Sequence, residues 1–130
     1  MSDMVASKSK AINAPLPGRP VRGSSTGRPT MALLDLLGRR WALRILWELR
    51  DGRGQTFRVL QQSCADMSSS VLSDRLHELR EARIVTAGPG GYVLTPAGRG
   101  LLDALEPLNE WALSWGARCT PATGARSPKP

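Results

Sequence analysis

Between Ser68 and Glu81 the chain reads SSSVLSDRLHELRE, and its side chains fall into two sets with different chemistry. Leu72, Leu76 and Leu79 recur at i, i+4 and i+7, which is one face of an α-helix. Ser69, Ser70, Ser73, Asp74, His77 and Arg80 fall on the other faces. Most are small, and all donate or accept hydrogen bonds. Ser68 can cap the helix by accepting an otherwise orphan backbone N–H of the first turn. A helix N-terminus also favours anions such as phosphate. A narrow apolar back, a small polar front and an anion-favouring end are what a helix needs to enter a DNA major groove and touch base edges. The same pattern also describes an ordinary amphipathic helix with a solvated front.

Other chemistry is poorly provided for. Nucleophilic catalysis needs a nucleophile beside a base. The chain has two cysteines, Cys64 and Cys119, and one histidine, His77, while its acids are scattered. No C-x-x-C motif is present, so neither a disulfide framework nor a Cys/His metal site is expected. We expect no enzyme and no cofactor, and read Cys64 as a small buried hydrophobe.

The net charge of +7 invites a nucleic-acid reading, but its distribution qualifies it. Residues 1–30 carry five Lys/Arg against one Asp, and residues 118–130 carry three Lys/Arg and no acid. The middle, 31–117, balances ten of each sign. Within it, 39–99 hold ten Arg and six acids, whereas 100–117 hold only Asp103, Glu106 and Glu110. A basic segment followed by an acidic helix suits a DNA-facing region joined to a protein-facing one. A mixed solvated surface gives similar numbers. No stretch approaches the roughly 18 apolar residues of a membrane span, and no signal peptide is evident, so a cytoplasmic, nucleoid-associated protein is expected.

The elements that must position the polar helix can be read in order. Residues 1–29, rich in Pro, Gly, Ser, Lys and Arg, are expected to be a disordered basic arm that adds phosphate attraction or serves as a passive leader. Residues 30–117 form the domain, and 118–130 a disordered tail. Thr30–Leu37 is a short, nearly all-apolar helix containing Leu33, Leu34 and Leu37, with Gly38 expected as a left-handed C-cap. Trp41–Arg50 is a second helix with Ile45 and Leu49 on its inner face. Thr56 can cap a third, with Phe57, Leu60 and Cys64 inward. After the polar helix, Ile84–Ala87 and Tyr92–Leu94 are strand-like around a Gly88–Gly91 turn, giving a β-hairpin. Thr95 and Pro96 open a last helix, along which Leu101, Leu105, Leu108, Ala112 and Trp115 form a stripe with Trp111 beside it. Pro107 is expected to bend it. The fold class is mainly α with a small β-hairpin, a winged helix–turn–helix with a C-terminal dimerisation helix. The first and last helices carry more apolar surface than one core should need. We therefore expect a homodimer through Leu33, Leu34, Leu37, Leu101, Leu105, Leu108, Trp111 and Trp115. An apolar effector pocket between Trp111 and Trp115 is the competing reading for that pair.

LLDLLGRRW at 33–41, the Phe57–Leu60 spacing, MSSSVLSDRLHELREARIV at 67–85 and YVLTPAGRGLL at 92–102 together resemble the HxlR-type winged helix–turn–helix regulators of bacteria. The resemblance spans roughly residues 29–116. It implies a homodimeric DNA-binding transcriptional regulator, read here as a repressor on an inverted-repeat operator. In this family the polar helix is the recognition helix and the first and last helices form the interface. Candidate DNA contacts are Thr56, Arg58, Ser69, Ser70, Ser73, Asp74, Arg75 and His77. Arg75, which matches a family arginine, serves either to touch phosphate or to hold the helix in place. Three departures stand out. Arg28-Pro29 occupies the place of a Cys-Pro that senses oxidants in some members. Ser70 stands where a lysine is common. The hairpin is short and uncharged from Ile84 to Leu94. These departures keep open a second reading, a winged-helix protein-interaction module with weak or lost DNA binding. Partners are therefore double-stranded DNA, a second copy of the chain, an effector of unknown chemistry, and no membrane.

Overall fold

Three hydroxyls decide where helices begin. The computed structural model describes residues 14–119, and its elements are α1 (Pro29–Leu37), α2 (Ala42–Glu48), α3 (Phe57–Ser63), α4 (Ser69–Glu81), β1 (Val85–Gly88), β2 (Gly91–Leu94) and α5 (Pro96–Cys119). The side chain of Thr56 accepts the Val59 N–H, that of Ser68 accepts the Val71 N–H, and that of Thr95 accepts the Gly98 N–H at 3.0 Å. Each satisfies a donor the helix cannot reach, a contribution of about 1 kcal/mol. Pro29 and Pro96 stand at the starts of α1 and α5, where a missing N–H costs nothing.

The leucine faces then meet. Ile45, Leu46 and Leu49 of α2 or its cap, Leu60 of α3 with Cys64 behind it, and Leu72, Leu76 and Leu79 of α4 form one buried cluster. Val85 and Leu94, paired across the hairpin, close it from below. A fully buried leucine contributes about 1.5–3 kcal/mol, so this interlock outweighs any single cap. The four tryptophans lie outside it. Trp41 is half-buried, and Trp47, Trp111 and Trp115 are exposed.

The hairpin closes with the very short loop expected, and its strands each extend one residue further into the turn. Gly88 pairs with Gly91, leaving Pro89 and Gly90 as a two-residue loop. Gln55 adds a single-residue third strand: its N–H donates to the Tyr92 carbonyl at 3.0 Å and its carbonyl accepts the Tyr92 N–H at 2.8 Å. Gly91 is required at its position. Its φ is +119°, and a Cβ there would come within 2.5 Å of the Gln55 backbone.

Gly38 does terminate α1, but not by the left-handed route expected for it. Its φ is −78°, its N–H closing onto the Leu34 carbonyl in right-handed geometry, and the reversal falls instead on Trp41 at φ +76°. The turn between α3 and α4 uses two further left-handed residues, Ala65 and Asp66.

Of the expected disordered arm, 1–29, and tail, 118–130, residues 1–13 and 120–130 lie outside the described part. Residues 14–28 are a hydrogen-bonded turn. The Gly18 N–H donates to the Gly27 carbonyl at 2.9 Å, Val21 and Ser24 exchange backbone bonds, and Ser24 Oγ accepts the N–H groups of Gly27 and Arg28. Ala14 is buried, and the Arg22 N–H donates to Asp35 of α1. Composition suggested disorder because these residues have little apolar surface. Local polar bonding and anchoring to α1 take its place.

Candidate nucleic-acid interface

The site is built on α4, and its back is more than apolar. Glu78, one turn from the end, is 3% exposed and accepts 2.8 Å hydrogen bonds from Arg39 on one oxygen and Arg75 on the other. Arg39 also lies 3.8 Å from Asp35 of α1, and Arg75 donates a second bond to the Arg40 carbonyl at 2.9 Å. A carboxylate held by two guanidiniums is charge-assisted on both sides. It pins α4 to the α1–α2 turn. Arg75 is thus occupied in holding the helix, the second of its two expected roles. Glu78 was missed at the sequence level. Its spacing of three from Arg75 was the available local signal, whereas its other partner Arg39 lies far away in sequence.

The front of α4 is open. Ser69, Ser70, Ser73 and His77 are exposed, and Asp74 is half-buried. Gln61 of α3 donates to Ser69 Oγ at 3.1 Å and to the Met67 carbonyl at 2.9 Å, fixing the entry to α4. Ser70 Oγ lies 3.5 Å from Ser68 Oγ. Ser73, Asp74 and His77 make no side-chain hydrogen bond to another described residue, so their donors and acceptors are available. Thr56 spends its hydroxyl on the α3 cap. Arg58 beside it is exposed and makes no ion pair among the described residues. Arg80, not among the expected contacts, is likewise exposed and unpaired. It lines a shallow groove with His77, Val85 and Thr86. Its position three residues after His77 was the available signal, since i and i+3 share a helix face.

The expected interface residues separate into two groups. Leu37 lies in the core, and Leu33, Leu101 and Leu105 are half-buried against it. Leu34, Leu108, Trp111 and Trp115 are each more than half exposed. Trp111 and Trp115 stack on one another at 5.9 Å between ring centroids, which leaves no pocket between them. The apolar groove lies elsewhere, between α2 and α5. It has a volume of about 630 Å³ and is walled by Leu43, Trp47, Leu102, Leu105 and Leu108, with Arg50 stacked on Trp47.

Metal and thiol chemistry find little here. Among the described residues no group of three or more His, Cys, Asp or Glu could hold a metal ion. Cys64 is buried and free, and burial pushes its thiol up from the ordinary value; Cys119 is exposed. No helix among the described residues is long and apolar enough to cross a membrane.

A short third helix, a left-handed turn, a polar-fronted helix and a paired hairpin in this order define a winged helix–turn–helix protein of the DNA-binding transcription-regulator class. The chain belongs to the HxlR-like helix-turn-helix family, whose profile matches residues 36–120. It is 32% identical over 89 residues to YvaP of Bacillus subtilis, described as an uncharacterized HTH-type transcriptional regulator, covering 63% of this chain and 82% of that one. Among solved structures it resembles quinone-bound YodB from B. subtilis, with a TM-score of 0.61 and 29% identity over 65% of this chain and 96% of that one. It also resembles a possible HxlR family transcriptional factor from Thermoplasma volcanium, with a TM-score of 0.58 and 28% identity over 68% of this chain and 85% of that one.

Proposed function

We propose that the protein acts as a homodimer on an inverted-repeat operator and represses the promoter it occupies. The observation that carries this reading is the contrast across α4. Its back is locked by three leucines and the Glu78 carboxylate, while Ser73, Asp74 and His77 on its front are unspent. A two-fold dimer places two such helices in successive major grooves, roughly 34–36 Å apart. Arg58 and Arg80 supply phosphate contacts that set affinity without choosing sequence. Ser70, Ser73, Asp74 and His77 read bases, Asp74 by accepting from cytosine N4. The exposed parts of α1 and α5 supply the dimer surface.

The test is a comparison of two duplexes, an operator selected from a random pool and a scrambled sequence of equal length. Ser73→Ala and His77→Ala should each lower the preference for the operator by about 1–3 kcal/mol per lost base contact. Arg58→Ala should weaken both duplexes together and flatten the salt slope. Recognition-helix variants that leave the ratio of the two affinities unchanged would show that α4 does not read bases, and the protein-interaction reading would take its place. A promoter–reporter fusion that falls, rather than rises, on deleting the gene would overturn repression.

A further inference from the structure

We infer that residues 14–28 form a clasp that sets the pose of the recognition helix, and that Glu81 is the positioning residue through which it acts. The segment lies wholly before the family match at 36–120, so the family's common core does not supply it. It grips both ends of the machinery. At one end the Ala14 N–H donates to Glu81 Oε1 at 3.3 Å, and Arg19 Nη2 lies 3.5 Å from Glu81 Oε2. Arg19 also donates to the Ala14 carbonyl at 3.1 Å, which ties the two gripping residues together. At the other end the Arg22 N–H donates to Asp35 Oδ2 at 3.1 Å, and Gly23 packs on Met31 so closely that a Cβ there would lie 2.4 Å from its methyl.

Asp35 is shared. Its other oxygen faces Arg39, which holds Glu78 on α4. Helix α1 is therefore linked to α4 by two routes, one through Arg39 and Glu78 and one through the clasp and Glu81. The first fixes α4 in its third turn. The second fixes its last residue. Together they leave the helix no freedom to pivot about Glu78, and so fix how the Ser73–His77 front is presented relative to α1.

The clasp closes on itself most tightly between Gly27 and the Gly18–Arg19 backbone. Gly27 has φ +76° and is buried, and a Cβ there would meet the backbone of Gly18 and Arg19 at 2.4–2.6 Å. No other residue fits without opening the turn. Gly27→Ala thus opens the clasp with no change of charge and no change to the family core.

This inference rests on α4 being the recognition helix, and the experiment separates the two. The full-length chain and its Gly27→Ala, Glu81→Gln and Arg19→Gln variants are titrated against the selected operator and the scrambled duplex, beside Ser73→Ala and His77→Ala. Thermal denaturation confirms each variant folded at the working temperature. Gly27→Ala should lower the operator-to-scrambled affinity ratio about tenfold, and Glu81→Gln about threefold, the scale of one exposed ion pair with its accompanying hydrogen bond. The sign for Glu81→Gln is diagnostic. Removing a negative charge strengthens phosphate attraction, so a purely electrostatic role predicts tighter binding to both duplexes. Positioning predicts weaker operator binding. Should Gly27→Ala fail to fold, the Glu81→Gln and Arg19→Gln pair still decides. Their double variant should be no worse than the poorer single, because both act on one contact. Unchanged ratios in the clasp variants, with Ser73→Ala and His77→Ala altered, overturn the clasp and leave the recognition helix standing. Unchanged ratios in every variant overturn both.

Discussion

Helices α4 and α5 are both amphipathic, yet one is finished within the chain and the other is not. In α4 every large apolar side chain but the half-buried Val71 is buried, and the one buried acid is answered by two arginines. In α5 only Gly98 is buried, while Leu108, Trp111, Leu113 and Trp115 stand 51–67% exposed along its second half. Leu108, Trp111 and Trp115, at i, i+3 and i+7, share one face of the helix, and Leu113 lies on another. On the proposed function the difference is a division of labour. A helix that reads DNA is supported from within the chain, whereas the long helix leaves its second half to a partner.

The largest way to break that contrast is at Glu78. Glu78→Ala leaves two guanidiniums facing a partly dehydrated gap and should cost about 3 kcal/mol in urea unfolding. A loss near zero would mean that the leucines alone hold α4. The α5 side is probed at the stacked tryptophans. Trp111→Ala and Trp115→Ala should each weaken the proposed dimer by about 2 kcal/mol, as buried aromatic anchors do, while leaving the monomer fold intact. Sedimentation of the wild type as a monomer at micromolar concentration would remove this account altogether.

The smallest effect concerns Cys64, in the core behind α4. Burial pushes its thiol above the ordinary value of 9.0. The folded state therefore holds the proton more tightly than the unfolded chain does. That contribution is intact below the unfolded pKa and is lost as pH rises through the folded one. Cys64→Ala should lose a constant increment of packing energy below the alkaline range, the difference from wild type should change with pH only in alkaline unfolding curves, and the native thiol should resist iodoacetamide and diamide at neutral pH. YodB has been crystallised after diamide treatment and with quinone bound. In the present chain a rapid reaction at Cys64 in the folded protein would contradict its reading as inert.

What was legible in the sequence follows the range of the forces. The caps at Thr56, Ser68 and Thr95 and the i, i+4, i+7 leucines of α4 act within a few residues, and the sequence displays them directly. The order helix, helix, helix, helix, hairpin, helix followed from them. Partnerships across distance left no such trace. Arg75 and Glu78 share a helix face at i and i+3, but nothing near them announces the Arg40 carbonyl or Arg39, and nothing in a Pro/Gly/Ser-rich segment announces that Glu81 anchors it. Gly38 and Trp41 teach the same lesson at short range. The residue best able to adopt a left-handed conformation is not the one that does: Gly38 stays right-handed and Trp41 reverses the chain.

The lone bridge between Gln55 and Tyr92 bears on how the molecule comes apart. Taken by itself, a hairpin of two four-residue strands is marginal in water. The bridge ties it to the residue just before the α3 cap, and Val85 and Leu94 bury its base beneath α4. Bringing Gln55 to Tyr92 is costly in chain entropy unless α3 and α4 have already packed and shortened the path between them. The wing is therefore a dependent of the helical pair and opens with it as one cooperative unit, not as a fraying flap. The amide proton of Tyr92 should exchange with solvent on the same timescale as those in the middle of α4.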